Sequence, residues 1–391
     1  MISVEEAKQL IKSSIVANKK IIISLANAVN YNLSKDIIST INMPPFRQSA
    51  MDGYALRLQN SDTYSVIDEV KAGDSHIPIL NNGEAIRIFT GAAVPDTANA
   101  VIMQEKVAIE NGELKLQKIV ISEENIRPMG EQVKIGEIAL KEGTKLTPAA
   151  IGYLASLGVT EVEVFKKPCI AIVATGNELT TPGTPLEHGK IYESNSIMLA
   201  SALSSLDYRD VSIHKVEDNY VNTRNLLNTI INENDLVLIT GGISVGDYDF
   251  VGKALEELAV EKVFYKVKQK PGKPLFFGKK ETSRIFALPG NPAAALSCFY
   301  IYAYPALQKM SGAINYHLVE TIANSTSTFV KKGDRAQFLK AHITNNNVEI
   351  LEGQSSAMLQ TFALANAFVY VSEEQPSIAI GDNVQVIHFP K

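Results

Sequence analysis

The 391-residue sequence has few of the residues that thiol and metal chemistry require. It contains 2 cysteines, Cys169 and Cys298, and 6 histidines, and no Cys/His spacing indicates a tetrahedral metal site. Cys169 opens a strand pattern and Cys298 lies in a helix pattern, so we expect both to be buried, reduced structural residues. No Ser-His or Cys-His arrangement for nucleophilic catalysis is evident either.

Long apolar segments are also absent. No run approaches the roughly 18 residues that a membrane helix needs, and the N-terminal segment MISVEEAKQLIKSS has glutamates where a signal peptide has an apolar core. These absences predict a cytoplasmic protein without a membrane segment. The formal net charge of −5 argues against general nucleic-acid binding. An anionic substrate would therefore need local positive charge.

What is present indicates several folded units, because one domain typically has roughly 100–200 residues. The first forty residues predict helix, with an apolar stripe that includes Val4 and Ala7. Short β-type runs separated by Gly, Pro and Asn turns predict a small β unit over residues 42–134. A helix is predicted at Thr147–Leu157, opened by a Thr-Pro pair.

From Pro168 onward, apolar strands alternate with helices. The predicted strands are Ile170–Ala174, Asp210–Val216, Leu236–Thr240, Lys262–Lys268 and Arg284–Leu288, and the predicted helices are Ser196–Leu206, Val221–Asn232, Asp249–Leu258 and Pro292–Met310. This alternation predicts βαβ crossovers and a largely parallel sheet covered on both faces. Ligands bind beyond the carboxyl ends of such strands. After Gly312 the pattern returns to β and predicts a small barrel or sandwich.

Unusual residues follow three of the predicted strands. The first strand leads into Thr175-Gly176-Asn177-Glu178, where Glu178 either binds a metal or a ribose hydroxyl or is a solvated turn residue. The third leads into Thr240-Gly241-Gly242, whose glycines let backbone N–H groups face an anion. Asp249 then either caps the next helix, holds a divalent cation beside phosphates, or does both. The last strand leads into Leu288-Pro289-Gly290-Asn291-Pro292, with Asn291 as the predicted N-cap.

A lysine-rich segment precedes that last strand. Its seven lysines are Lys262, Lys266, Lys268, Lys270, Lys273, Lys279 and Lys280. A lysine run is usually a solvated face. The turn Lys270-Pro271-Gly272-Lys273-Pro274 differs, because prolines stiffen it and less entropy is lost on binding. We therefore predict that Lys270 and Lys273 clamp an oxyanion.

Together the motifs resemble one known family. They are Ser49–Ala55 (SAMDGYA), Arg87–Ala92 (RIFTGA), Thr175–Leu179 (TGNEL), Thr240–Gly246 (TGGISVG), Lys270–Pro274 (KPGKP) and Leu288–Pro292 (LPGNP). The order is that of molybdopterin molybdenumtransferases, the MoeA family, which includes the gephyrin E domain. The resemblance covers nearly the whole chain.

The resemblance implies an α/β plus β fold of four domains and an elongated homodimer. The implied parts are an elongated α+β domain (1–41 and 135–167), a β domain (42–134), a doubly wound molybdopterin-binding-like domain (168–312) and a C-terminal β-barrel (313–391). The implied reaction inserts molybdate into adenylylated molybdopterin and releases AMP, with Mg²⁺ or a similar divalent cation. The adenylylating enzyme and molybdoenzyme maturation proteins are implied as further partners.

The resemblance also implies roles for individual residues. Glu178, Asp218 and Asp249 match acidic pocket positions, with Glu178 and Asp249 as metal ligands. Asp52 and Thr90 match positions that the partner subunit supplies, and Asp52 joins the three acids as a predicted catalytic residue. The implied molybdate region comprises Lys270, Lys273, Pro274, Arg335, Ser355 and Ser356. The remaining predicted substrate-binding residues are Thr175, Gly176, Gly241, Gly242, Ser244, Gly290 and Asn291.

The sequence departs from the family pattern in two places. Gln132 stands where the family often has an acid, which puts a ligand role there in doubt. Ala293-Ala294-Ala295 replaces a polar residue after Gly-Asn-Pro, so one oxyanion hydrogen bond is either missing or provided by backbone. Two other functions stay open: a molybdopterin adenylyltransferase, against which the additional β units argue, and a non-enzymatic scaffold.

Overall fold

The computed structural model describes residues 1–242 and 250–390. The chain divides into two compact units. The larger unit comprises Met1–Ile23, Asn30–Ser34 and Glu163–Lys391, and the smaller comprises Ser24–Val29 and Lys35–Val162. Within the described ranges, no helix combines the length and apolar composition that a membrane crossing requires.

The N-terminal helix is shorter than the sequence pattern predicted. Helix α1 spans Val4–Ser14, begins at Ser3, whose side chain accepts a hydrogen bond from the Glu6 N–H, and buries one apolar stripe. The predicted continuation to residue forty is wrong, because strand β1 follows at Lys20–Ser24. Three consecutive isoleucines in β1 favour extended backbone, since β-branched side chains lose rotamer freedom in a helix.

The smaller unit contains the predicted small β structure. Its strands and helix are β2 (Ile37–Ile38), β3 (Gln48–Ser49), β4 (Gly53–Leu56), β5 (Thr63–Val70), β6 (Glu84–Ile88), β7 (Ala100–Met103), β8 (Val107–Glu110), β9 (Glu113–Leu116), β10 (Ile126–Arg127), β11 (Ile138–Leu140) and α2 (Pro148–Ser156). Six of these strands form one sheet, in the order β7-β4-β6-β5-β9-β8. The predicted start of α2 is confirmed, because the Thr147 side chain caps the helix and Pro148 follows it.

The larger unit carries the α/β layer. After β12 (Glu161–Phe165), its elements are β13 (Ile170–Thr175), β14 (Leu179–Thr180), β15 (Ile191–Tyr192), α3 (Asn195–Ser205), β16 (Val211–Val216), α4 (Tyr220–Glu233), β17 (Leu236–Thr240), α5 (Phe250–Glu257), β18 (Glu261–Tyr265), β19 (Gln269–Lys270), β20 (Phe276–Lys280), β21 (Ser283–Leu288), α6 (Pro292–Cys298), a π-helical segment (Phe299–Ala303) and α7 (Tyr304–Met310). The sheet order is β16-β13-β17-β21-β20-β18. The first four strands are parallel, as predicted. Strand β20 pairs antiparallel with both β21 and β18, and it was missed because three of its five residues are glycine or lysine.

Both faces of this sheet are covered, which explains its continuous apolar strands. On one face, Ile170, Leu236 and Phe286 pack in a cluster with residues of α1, α3, α6 and α7. On the other, Ala171 and Val237 pack with residues of α4 and α5. Neighbouring residues of a strand point to opposite faces, so an apolar residue is needed at every position.

A closed barrel follows the α/β layer. Its elements are β22 (Glu320–Ser325), β23 (Phe329–Val330), β24 (Ala336–Thr344), β25 (Asn347–Ile350), α8 (Leu359–Leu364), β26 (Ala367–Val371), β27 (Ser377–Ile378) and β28 (Asn383–His388). Pairing runs β24-β25-β22-β28-β26 and returns to β24. The short strand β19 extends this sheet by pairing in parallel with the start of β24. The predicted fold class, α/β plus β with a C-terminal barrel, is confirmed.

The two cysteines differ from each other. Cys298 is fully buried, as predicted. Cys169 is a free thiol, as predicted, but it is only partly buried, so the prediction that it is buried is wrong. Its Sγ lies 3.1 Å from Lys166 Nζ and 2.9 Å from Asp210 Oδ2. The charged neighbours explain why this thiol does not sit in an apolar core.

Candidate active site

Three of the predicted loops meet at one edge of the sheet. Strands β13, β17 and β21 are neighbours, and their carboxyl ends carry Thr175-Gly176, Gly241-Gly242 and Gly290-Asn291. Because parallel strands end at the same edge, these loops face the same space. The prediction that these three loops converge is therefore confirmed for the part of each loop that is described, and their role in anion binding stays a prediction.

The glycine pair after β17 is required by its surroundings. Both residues have positive φ, +86° at Gly241 and +62° at Gly242. A Cβ at Gly241 would lie 2.3 Å from the Thr175 carbonyl oxygen, and one at Gly242 would lie 2.4 Å from Thr175 Oγ1. Only glycine avoids both the conformational cost and the overlap. The backbone of this turn therefore lies directly against the end of β13.

Two predicted residues follow this turn in the sequence. Ser244, assigned to substrate binding, and Asp249, assigned to catalysis and to the metal, lie outside the described residues. Their predicted roles stay predictions.

An asparagine that the sequence analysis missed joins the loops. Asn195, the first residue of α3, donates from Nδ2 to Thr240 Oγ1 over 2.6 Å and to the Gly290 carbonyl over 2.8 Å. Its Oδ1 and the Thr175 Oγ1 are buried side-chain atoms with no hydrogen-bond partner in the described structure. A Ser-Asn pair at a helix start looks like an ordinary cap, so no sequence signal distinguished Asn195.

Two of the predicted acids lie on interlocked loops. The Asn177 N–H donates to Asp218 Oδ2 over 3.2 Å, and the Asp218 N–H donates to Asn177 Oδ1 over 3.0 Å. The exposed Glu178 carboxylate folds back over Gly176, with Oε2 2.6 Å from where a Cβ of that glycine would be. The loop after β13 and the loop after β16 are thus fixed to each other.

The carboxylates fit a hard cation in kind but do not form a complete site among the residues described. Glu178 and Asp218 provide oxygen donors, which Mg²⁺ prefers. Within residues 1–242 and 250–390, no three acids, histidines or cysteines are grouped closely enough to hold a metal ion. Mg²⁺ usually takes its remaining ligands from water and from substrate phosphates, and Asp249 is the further protein ligand that the sequence predicts.

The lysine turn is anchored through its backbone. Gly272 has φ +81°, and a Cβ there would lie 2.3 Å from Cys298 Sγ in α6. The buried Gln269 donates to the Gly272 carbonyl over 3.2 Å, and Arg335 Nη1 donates to the Gln269 carbonyl over 3.3 Å. The turn therefore sits between α6 and the barrel, and Arg335 is next to it, as predicted.

Some lysines of the lysine-rich segment form ion pairs within the protein, and others do not among the described residues. Lys268 forms ion pairs with Asp334 and Glu373, and Lys279 pairs with Glu261. Lys270 and Lys273 are exposed, and neither has an ion-pair partner in the described parts of the chain. Their positive charge is therefore available to an anion, and the oxyanion clamp stays a prediction.

The loop with the two predicted serines is held by a buried lysine. Lys340, 3% exposed, donates from Nζ to the carbonyls of Gly353 (2.8 Å), Ser355 (3.2 Å) and Met358 (2.9 Å). Burial lowers the pKa of Lys340. The sequence signal, a lysine amid the apolar residues of β24, was present but was not used.

The same loop touches the helix that follows β21. Ser356 Oγ accepts a hydrogen bond from Asn291 Nδ2 over 3.0 Å, and the Ser356 carbonyl accepts one from the Ala294 N–H over 3.3 Å. Asn291 occupies the predicted N-cap position, but its side chain does not cap the helix. The departure Ala293-Ala294-Ala295 is explained by packing, because all three are at most 2% exposed.

In the smaller unit, the structure brings Asp52 and Thr90 together. Asp52 Oδ1 accepts hydrogen bonds of 2.8 Å from both the Thr90 N–H and the Thr90 hydroxyl. These bonds, with the nearby charge of Arg87, lower the pKa of the Asp52 carboxyl. The Arg87 guanidinium lies 5.0 Å from the Tyr54 ring centroid and 4.9 Å from that of Phe89. That a partner subunit supplies these residues stays a prediction.

The fold and these loops define a multidomain protein built around a doubly covered α/β domain with its candidate site at the carboxyl ends of parallel strands. Family models match residues 2–158 (MoeA N-terminal region, domain I and II), 171–309 (probable molybdopterin binding domain) and 323–389 (MoeA C-terminal region, domain IV). The chain is 34% identical to the molybdopterin molybdenumtransferase of Haemophilus influenzae, covering 94% of this chain and 93% of that one. It is 31% identical to the Staphylococcus aureus protein of the same name, covering 99% and 95%.

A solved structure agrees along the entire chain. The molybdopterin biosynthesis MoeA protein of Pyrococcus horikoshii is 30% identical, with a TM-score of 0.85 and 100% of both chains covered. The chain belongs to the molybdopterin molybdenumtransferase family.

Proposed function

We propose that this chain is an enzyme of molybdenum cofactor biosynthesis that inserts molybdate into the dithiolene of adenylylated molybdopterin and releases AMP. The observation that carries the proposal is the meeting of three anion-binding loops, at the carboxyl ends of β13, β17 and β21, in a chain of this family. We further propose that the enzyme acts in the cytoplasm as a homodimer. The adenylylating enzyme and molybdoenzyme maturation proteins are its proposed partners.

The strand-end loops suit the phosphates of the substrate. Backbone N–H groups at Gly241, Gly242 and Gly290 carry partial positive charge and need no side chain to approach a phosphate oxygen. The Thr175 hydroxyl lies beneath the glycine turn and is unpaired. Together these groups would hold the pyrophosphate of the adenylylated pterin, with Thr175 Oγ1 as an additional donor.

The acidic loops suit a divalent cation beside those phosphates. Glu178 and Asp218 would hold Mg²⁺ together with Asp249. When bound, the cation neutralises charge that develops as the phosphoanhydride is cleaved. The Asn177–Asp218 hydrogen bonds fix one carboxylate before the substrate arrives, so less ordering is required at binding.

The lysine turn and the serine loop suit molybdate, a tetrahedral dianion. Lys270, Lys273 and Arg335 supply charge, and Ser355 and Ser356 supply hydroxyl donors. Pro274 stiffens the backbone of the turn beside the proposed oxyanion region. We place Asp52 and Thr90 in the active site of the neighbouring subunit, where the two hydrogen bonds from Thr90 would hold the Asp52 carboxylate in position.

One assay tests the proposal against its alternatives. The purified protein is incubated with adenylylated molybdopterin, Mg²⁺ and molybdate, and AMP and active cofactor are measured. AMP release with active cofactor is the expected result. Formation of the adenylylated pterin from ATP would instead indicate an adenylyltransferase, and neither activity would indicate a scaffold.

Two variants connect the activity to the acidic loops. Asp218→Asn should lower AMP release roughly a hundredfold, since a charge that contacts the cation or the reacting phosphates is lost. Glu217→Gln is the matched control, because Glu217 is the exposed neighbouring acid. Equal rates for the two variants would exclude Asp218 from the reaction.

A further inference from the structure

Asn195 holds two of the anion-binding loops at a fixed separation. Its Nδ2 donates to Thr240 Oγ1 at the end of β17 and to the Gly290 carbonyl beyond β21. A carbonyl oxygen can only accept a hydrogen bond, so the atom that faces Gly290 must be the amide nitrogen. The orientation of the amide is therefore determined, and both of its N–H groups are used.

The remaining atom of this amide lacks a partner. Asn195 is 9% exposed, and its Oδ1 makes no hydrogen bond in the described structure. Thr175 is 3% exposed, and its Oγ1 is also unpaired. Buried polar atoms without partners are uncommon in folded proteins and call for an explanation such as a ligand or an ordered water.

The two unpaired atoms belong to the same edge of the sheet. Thr175 follows Ala174, which is paired in register with Thr240, the residue that Asn195 contacts. Neighbouring strands are about 4.8 Å apart. Asn195 Oδ1 and Thr175 Oγ1 therefore lie within about one or two strand spacings of the Gly241-Gly242 turn. This turn supplies the backbone N–H groups for the phosphates in the proposed function.

We propose that Asn195 is a positioning residue of this site. Its two N–H groups set the distance between the Gly241-Gly242 turn and the Gly290 loop, so that both reach the pyrophosphate at once. Its Oδ1 accepts a hydrogen bond from a hydroxyl or amino group of the adenylate part of the substrate. A phosphate oxygen is excluded as its partner, because two acceptors repel each other. This inference rests on the proposed function.

Four variants separate positioning from simple stability. Asn195→Ala removes the acceptor Oδ1 and both hydrogen bonds of Nδ2, to Thr240 and to Gly290. Asn195→Asp keeps an acceptor but loses the donor to Gly290. Thr240→Val removes the hydroxyl that accepts one of the two hydrogen bonds from Asn195 Nδ2, whereas Thr240→Ser keeps this hydroxyl. Asn234→Ala is the matched control, because Asn234 Nδ2 donates to the Ile230 carbonyl over 2.9 Å before the amino end of β17.

The measurements are kcat and KM for AMP release and the Kd for AMP by calorimetry, at a temperature where each variant is folded. We expect Thr240→Val to lower kcat/KM about tenfold, the loss of roughly one hydrogen bond. Asn195→Ala and Asn195→Asp should lower it further, and Asn195→Ala should also raise the Kd for AMP about tenfold. Thr240→Ser and Asn234→Ala should resemble the wild type.

The inference is overturned if Asn195→Ala and Thr240→Val have wild-type kinetic constants and AMP affinity, even when their melting temperatures fall. That result would mean that the hydrogen bonds of the Asn195 amide stabilise the fold and do not position the site. A wild-type protein that releases no AMP would instead contradict the proposed function. In that case the calorimetric comparison of wild type with Asn195→Ala still decides whether Asn195 serves a nucleotide site.

Discussion

Replacing Lys340 by methionine should weaken both the fold and the use of molybdate. Each hydrogen bond from a charged donor contributes about 1.5–3 kcal/mol, and Lys340 donates to three carbonyls, at Gly353, Ser355 and Met358. Two effects offset most of this sum. Burial of the ammonium group lowers its pKa, which shows that the charge is costly there, and water can reach the exposed Ser355 and Met358. A net loss of about 2 kcal/mol in unfolding free energy follows.

The effect on function follows from the loop that these carbonyls belong to. Without the ammonium group, the loop at Ser355 and Ser356 loses its three side-chain hydrogen bonds to β24 and keeps the contacts of Ser356 with Asn291 and Ala294. A loss of about 1.4 kcal/mol in molybdate binding corresponds to a tenfold higher molybdate requirement. We therefore expect Lys340→Met to need at least roughly ten times more molybdate for half-maximal cofactor formation.

The assay pairs urea unfolding with cofactor formation over a range of molybdate concentrations. Lys331→Met is the matched control, because Lys331 Nζ also donates to backbone carbonyls of the barrel, at Ser372 and Glu373. It should lower stability without changing the molybdate requirement. The reasoning is refuted if Lys340→Met leaves that requirement unchanged, or if both variants raise it equally.

Four further changes test other parts of the molecule. Asp249→Ala should abolish AMP release while circular dichroism stays that of the wild type; full activity would remove this residue from the site. Lys273→Ala should raise the molybdate requirement by weakening the oxyanion clamp, and an unchanged requirement would contradict its role. Thr90→Val should raise the pKa of the Asp52 carboxyl toward its usual value, as followed by carbon NMR titration. The lowered pKa contributes stability that is present above the unfolded-state pKa and is lost as the pH falls through the folded-state pKa, so this contribution should become smaller in Thr90→Val. Gly272→Ala should cost at least about 2 kcal/mol in urea unfolding, because it combines positive φ with a steric overlap.

The last change has a control within the same unit. Gly183 has φ +92° and open space around the position of a Cβ. Gly183→Ala therefore carries the conformational cost alone, about 1–2 kcal/mol. Equal losses for the two variants would show that the contact of Gly272 with Cys298 is unimportant.

Local sequence patterns predicted the parallel part of the fold well. Strands such as Leu236–Thr240 are apolar at every position, and that pattern follows from burial on both faces. Strand β20 does not share this pattern, because Phe276–Lys280 ends in glycine and two lysines. The helix predicted through residue forty was wrong because the isoleucines of β1 continue an apolar pattern without keeping a helical period.

The part of the candidate site that could be predicted is the part that strand topology determines. Adjacent parallel strands place their following loops together, so Thr175, Gly241 and Gly290 could be grouped from the sequence. Asn195 could not, because its partners lie 45 and 95 residues away and its role depends on their separation. Lys340 was missed for a related reason, since its importance depends on three carbonyls that no motif marks.

The parallel ladder between β19 and β24 has a consequence for how the protein matures during synthesis. Arg335 and the carbonyl that it binds, at Gln269, are 66 residues apart. A nascent chain that has left the ribosome only as far as Met310 already holds every strand of the α/β sheet. Its lysine turn still lacks the barrel strand that aligns it. The proposed oxyanion region is therefore completed after the loops at the carboxyl ends of β13, β17 and β21, when β24 emerges.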